Sequence, residues 1–225
     1  MKFTYYGHSC FLLEVVGVKI IFDPFISPNE MAKDIDVNSI KVDFVLVSHA
    51  HFDHTADTEA IARNNNAVVV SSYEIAMHYG AKGLKHHPMN AGGKWDFGKW
   101  NLKCVQAVHS SVFADGSAGG NALGFAVSGG GKTFYYSGDT ALHLDMELVG
   151  RQHKLDHAFL SIGDNFTMGY EDALIAADMI KCDNIVGMHF DTFPYIRLDH
   201  NKVKQHFAEA GKQLRLPAIG ESWTI

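Results

Sequence analysis

The chain has 225 residues, 47% hydrophobic and 20% charged, with 21 glycines and 5 prolines. Against about 150 residues per domain this is enough for a substantial core, and the composition excludes a disordered, collagen-like or coiled-coil chain. The net charge of −6, from 19 Lys and Arg against 25 Asp and Glu, offers a polyanion such as nucleic acid no global attraction.

Apolar runs at residues 2–6, 10–16 and 18–22 predict an antiparallel meander. Gly7, His8, Glu14 and Lys19 break any export signal there, and nowhere do about 18 apolar residues follow one another. A soluble, cytoplasmic chain with no membrane span is expected. A buried strand at 43–47 runs into Ser48-His49, and 55–63 has helical spacing. Residues 68–71 read as a strand, 73–79 as a helix, and 82–94, with Gly83, Pro88, Gly92 and Gly93, as a loop. A strand at 100–108 ends at His109. Strands at 123–127 and 133–136 flank Gly129-Gly130-Gly131, and the second ends at Ser137-Gly138-Asp139. A helix at 142–149, a strand at 158–162 and a helix at 171–180 follow; Glu171 and Asp172 suit the last helix's positive end. The strand at 184–188 ends at His189, and 201–210 is a final amphipathic helix. With no linker between the halves, one layered α/β domain over residues 1–225, of two similar halves, is expected.

Three cysteines, Cys10, Cys104 and Cys182, lack any C-x-x-C pairing, so neither a disulfide framework nor a thiolate zinc site is suggested. Histidine is the anomaly: there are fourteen, and imidazole is the commonest metal ligand among side chains. Residues 48–54 read Ser-His-Ala-His-Phe-Asp-His directly after a buried strand. Such density is costly to bury unpaired. His109, Asp139 and His189 each stand at a predicted strand end, where α/β folds bind ligands. Asp139 has two oxygens and can bridge two cations, whereas a neutral imidazole offers one lone pair.

His-x-His-x-Asp-His, then an isolated His, an isolated Asp and a last His, resembles the metallo-β-lactamase superfamily. The resemblance implies a four-layer αβ/βα sandwich. It puts His49, His51 and His109 on one metal, Asp53, His54 and His189 on the other, and Asp139 between them. Gly7-His8-Ser9 and Phe22-Asp23-Pro24 are similar to the family's opening strands. Phe166-Thr167-Met168-Gly169 with Glu171-Asp172-Ala173, and the run from His189 to Thr192-Phe193-Pro194, resemble a compact subgroup of metal-dependent hydrolases. Asp139 stands where antibiotic-hydrolysing relatives have Cys, and His51 is not the Glu of the di-iron flavoprotein branch. Lactonase-like and N-acylphosphatidylethanolamine phospholipase-like relatives remain.

The implied chemistry is hydrolysis with two divalent ions. A donor set of nitrogen and oxygen favours Zn²⁺, with Mn²⁺, Fe²⁺, Co²⁺ or Ni²⁺ able to use the same groups. Two ions would present a shared hydroxide to a small ester, lactone, amide or phosphodiester. Asp53 is the candidate for orienting that nucleophile and taking its proton. His8 is a candidate to bind substrate or donate a proton, against a buried hydrogen-bonded histidine. Asp23 reads either as a carboxylate fixing a ligand imidazole or as a turn residue before Pro24. Lys82, Lys85 and Lys94 could hold one phosphate or carboxylate, against simple solvated charges. The other eight histidines lack ligand spacing. A small-molecule substrate is expected; a nucleic-acid phosphodiesterase and a non-catalytic metal-dependent sensor are the alternatives.

Overall fold

Strict alternation of inward and outward side chains builds the first strands. In the computed structural model, which describes residues 1–224, Lys2–Gly7 (β1), Cys10–Val15 (β2) and Val18–Phe22 (β3) pair antiparallel. Phe44–Leu46 (β4) joins β3 in parallel. One helical turn, Phe52–Thr55 (α1), and the helix Thr58–Asn65 (α2) lead to Val68–Ser72 (β5), and Tyr73–Ala81 (α3) to His86–Met89 (β6). The second sheet begins with Lys94–Asp96 (β7), Asn101–Gln106 (β8), Leu123–Gly129 (β9) and Lys132–Tyr136 (β10). Then come Met146–Gln152 (α4), His157–Ser161 (β11), Tyr170–Met179 (α5), Asn184–Met188 (β12), His200–Glu209 (α6), Gln213–Arg215 (β13) and Ser222–Thr224 (β14).

The strand orders are β14-β1-β2-β3-β4-β5-β6 and β13-β12-β11-β10-β9-β8-β7. Each sheet is antiparallel over part of its width and parallel over the rest, so the two halves repeat one plan. Period two sorts the strands' side chains between layers. Leu46, Val70, Phe134, Tyr136, Phe159 and Val186 enter the core between the sheets, where Phe11 stacks on Phe22 at 4.4 Å and on Phe159 at 5.0 Å. Truncating Phe11 to alanine would cost about 3–5 kcal/mol, because it joins both sheets. Their neighbours face outward: Val45 and Val69 meet Ile61 of α2 and Ile75 of α3, while Tyr135, Leu160 and Ile185 meet Val149, Ala176 and Phe207 of α4, α5 and α6. The result is helix, sheet, sheet, helix, the four layers the resemblance implies.

Some boundaries differ from expectation. Residues 82–94 contain β6 and the start of β7 rather than a loop; both are edge strands, where Pro and charge are tolerated and blur the strand signal. The expected helix at 55–63 is split before Thr58, because the Asp57 carboxylate is drawn to the backbone N–H groups of Ile26 and Ser27. The helix expected at 142–149 is Met146–Gln152. Two strands after α6 were not anticipated, and β14 returns to pair with β1.

Candidate metal centre

The strands deliver their polar ends to one place. Leaving β4, the chain turns through Ser48-His49-Ala50-His51 into α1, which carries Asp53 and His54. His8, Asp23 and His189 immediately follow β1, β3 and β12 and take φ of +56°, +40° and +56°. Asp and His tolerate this left-handed region better than most residues, but it costs on the order of 1–3 kcal/mol and persists where the surroundings over-determine it. The His189 N–H donates to the His8 carbonyl at 2.9 Å, tying the ends of the two sheets together. Gly138, at φ +60°, brings Asp139 in: a Cβ there would sit 2.6 Å from the Leu123 carbonyl oxygen.

All seven ligand candidates converge. His51 Nδ1 lies 2.9 Å from His49 Nε2 and 3.3 Å from His109 Nε2. Three ring nitrogens so crowded cannot all satisfy one another, whereas lone pairs aimed at a common point suit a cation. A second group joins Asp53, His54 and His189, with His8 beside them. Asp139 Oδ2 lies 3.0 Å from His189 Nε2, 3.3 Å from His54 Nε2, 3.8 Å from His109 Nε2 and 3.9 Å from His49 Nε2, so it reaches both groups. His54 Nε2 and Asp139 Oδ1 are buried without a hydrogen-bond partner. Polar atoms orphaned in this way are costly unless something else completes them, and a cation would.

Behind the cluster stands Asp23. Its carboxylate accepts from the Ser48 N–H and the Tyr136 hydroxyl, both at 2.6 Å, from the Ser48 hydroxyl at 2.6 Å and from His54 Nδ1–H at 2.8 Å. With its proton given to Asp23, Ser48 Oγ accepts from His49 Nδ1–H at 2.9 Å. One buried carboxylate thereby turns Nε2 of both His49 and His54 toward the cluster. Asp23 thus fills both roles open in the sequence, turning the chain and fixing an imidazole.

His8 contacts the cluster through Asp53. Burial first, then His189, pushes its pKa down to about 4, so the ring is neutral at pH 7. The Thr192 hydroxyl is 3.0 Å from Nδ1 and Asp53 Oδ2 is 2.9 Å from Nε2, which makes Nε2–H the donor to Asp53. Both nitrogens are engaged and the ring is not among the residues lining the cavity below, a placement that suits holding the Asp53 carboxylate in position.

Charge in the cluster is divided. Burial lowers the pKa of His49, His51 and His109, favouring the neutral form that binds metals. For Asp139, burial acts to raise the pKa, but His189 and His54 outweigh it and hold the carboxyl well below its usual range. Asp53 is likewise lowered against burial by His54, His189 and His8. His189 is raised to about 9, the Asp139 carboxylate overcoming burial, and His54 is raised too.

A cavity of about 600 Å³ opens over the cluster, walled by Phe52, Phe166, Phe193, Pro194 and Tyr195. The three lysines offered as an anion site are not gathered there. Lys82 pairs with Glu59 at 3.0 Å, Lys85 borders a hollow beside Arg63, and Lys94 lies on β7 in the other sheet. The eight other histidines stand outside the cluster among the described residues. Ser48, Ser110, Tyr136 and Thr192 were missed by sequence reading, although Ser48 and Ser110 each adjoin a candidate ligand and could have been suspected on that ground.

A profile described as the β-lactamase superfamily domain matches residues 2–189. The chain belongs to this superfamily. A metal-dependent hydrolase of the UPF0173 group from Christiangramia forsetii is 52% identical over 223 residues, 99% of each chain. The solved structure of Igni18, a metallo hydrolase from the archaeon Ignicoccus hospitalis, is 34% identical with a TM-score of 0.90, covering 100% of this chain and 98% of the other. YhfI from Bacillus subtilis, a metallo-β-lactamase fold protein, has a TM-score of 0.76 at 12% identity over 99% and 98% of the two chains, a likeness of fold alone. Within the superfamily this chain thus stands with metal-dependent hydrolases, and its sandwich is the metallo-β-lactamase fold. No helix among its described residues is long and apolar enough to cross a membrane.

Proposed function

We propose that this superfamily member is a hydrolase of small esters, lactones, amides or phosphodiesters that holds two divalent ions, first of all zinc. His49, His51 and His109 would hold one ion and Asp53, His54 and His189 the other, with Asp139 shared. The observation that carries the reading is the position of Asp139 Oδ2, within 3.9 Å of imidazole nitrogens from both groups. Bound ions would lower the pKa of a shared water toward about 7 and so supply a nucleophile at neutral pH. Asp53 borders the cavity and is steadied by His8, so it can orient the attacking water and accept its proton. The buried Asp23 keeps two imidazoles in the required tautomer. Three free, buried cysteines suit a reducing cytoplasm.

Nucleic acid is a poor fit, because no Lys or Arg lines the cavity among the described residues. The test is metal analysis of the purified protein combined with hydrolysis assays before and after chelation and zinc reconstitution. About two equivalents of metal per chain and zinc-restored turnover are expected. A single equivalent would overturn the dinuclear assignment, and a fully loaded protein that hydrolyses none of the four bond types would overturn the enzyme reading.

A further inference from the structure

The cavity wall has a chemistry of its own. Phe52, Phe166 and Tyr195 are 53%, 48% and 75% exposed, and all three border the opening that ends on the cluster. Single exposed aromatics are ordinary, but several around one reactive floor form a site. The wall has a fixed side. Phe52 and Phe193 lie 6.0 Å and 6.3 Å from the buried Phe25 ring, and Phe193 meets His8 edge-on at 5.3 Å. Two further aromatics reach the cavity from loop tips. Phe166 crowns a turn pinched shut by the Gly163–Gly169 bridge, with Asp164 and Asn165 at φ +63° and +54°. Tyr195 comes from the loop after β12 and meets Phe166 edge-to-face at 6.2 Å.

Charge narrows the occupant further. The groups bordering the cavity that can carry charge near neutral pH are the cluster's own His and Asp residues, and the Ser110 and Tyr195 hydroxyls are the other polar side-chain groups on its lining. Ions on the floor would engage the scissile group itself. A carboxylate or phosphate carried elsewhere on the substrate would lie against aromatic rings without a cationic partner and lose its hydration.

We propose that the substrate is an uncharged small ester or lactone bearing an aryl substituent, held between the Phe166–Tyr195 pair and the Phe52–Phe193 side while its carbonyl meets the cluster. This rests on the hydrolase reading and excludes the anionic substrates that the three lysines suggested. In the reaction, water adds across the acyl C–O bond: its oxygen goes to the carbonyl carbon and a proton to the departing oxygen.

The zinc-loaded protein is assayed by proton release with methyl acetate, methyl phenylacetate and methyl 4-carboxyphenylacetate. Separately, binding of phenylacetamide and 4-carboxyphenylacetamide to the metal-free protein is followed by NMR. Methyl phenylacetate is expected to exceed both other esters at least about tenfold in kcat/KM, mainly through KM. In the Phe166→Ala, Tyr195→Ala double variant that preference should shrink to below about threefold, and phenylacetamide should bind at least about tenfold more weakly than to the parent. Hydrolysis in which the carboxylated ester is best, or in which methyl acetate matches methyl phenylacetate, overturns the proposal and leaves the hydrolase reading intact. Arg197, exposed on the Tyr195 loop, would then be the cation to mutate. Selective phenylacetamide binding by a protein that cleaves no ester would instead sink the hydrolase reading and support the aryl site.

Discussion

His54 is fully buried and His189 nearly so, at the floor of the cavity, whereas His51 and His109 are partly exposed in its wall. The deep pair is steadied from outside the cluster. His54 donates to Asp23, and His189 packs its ring 4.1 Å from His8 while its N–H meets the His8 carbonyl. In the open pair, His51 Nε2 has the exposed Ser110 hydroxyl at 3.2 Å. Ligands oriented before an ion arrives lose less freedom on binding, and their supporting partners govern affinity almost as strongly as the ligands do. The deep group should therefore bind first and release last.

The largest expected effect abolishes the contrast. Asp139→Ala removes the one oxygen near both groups, so metal content should fall from about two equivalents to below about one, with the circular dichroism spectrum unchanged. Mass spectrometry of the native protein reads this directly. Retention of one tightly bound ion would mean that the groups are independent. Asp53→Asn acts on chemistry rather than binding: turnover at matched metal loading should drop at least about a hundredfold. Near-normal steady-state rates in that variant would assign the proton to another group.

Asp23→Asn tests a support that reaches the deep group directly through His54 and the open group only indirectly, through Ser48 and His49. Four donors converge on this carboxylate, and an amide must turn its own N–H groups toward some of them. Metal affinity should weaken about ten- to hundredfold. The metal-free protein should lose about 2–3 kcal/mol, roughly 6 °C in melting temperature, since buried donors are left unpaired. A scanning calorimetry trace matching the parent would show that Asp23 is not what holds His54.

Which of these features can be read in the sequence depends on how local their cause is. His49, His51, Asp53 and His54 announce themselves because one strand end and one helical turn carry all four, and Asp139 and His189 because each closes an apolar run. The inner parallel strands β4, β5, β11 and β12 were legible for the same reason: they read as uninterrupted apolar stretches because both faces are covered. Asp23 is different. Its partners Ser48, His54 and Tyr136 are far away along the chain, so only the fold brings them together. The same holds for Asp57, whose pull on Ile26 and Ser27 splits a helix that looks continuous in sequence. Edge strands β6 and β7 were hidden because an edge need not be apolar. The aromatic wall has no periodicity at all, since Phe52, Phe166 and Phe193 come from three separate loops or turns.

The smallest expected effect bears on the open group. Ser110 is exposed and its hydroxyl sits 3.2 Å from His51 Nε2, so Ser110→Ala removes one hydrogen bond that water can replace. The more weakly held ion should lose about two- to fivefold in affinity while the tighter one is unmoved. Ser48→Ala makes the informative contrast, because Ser48 is fully buried and links His49 to Asp23. No water can take its place without a cavity, and the loss there should be about tenfold or more. A competing chelator titrated into the zinc-loaded protein separates the two ions as successive phases, and only the first phase should shift in Ser110→Ala. If that variant instead matches Ser48→Ala, burial of a supporting partner is not what makes it govern affinity, and the hold on that ion must be set by the ligands alone.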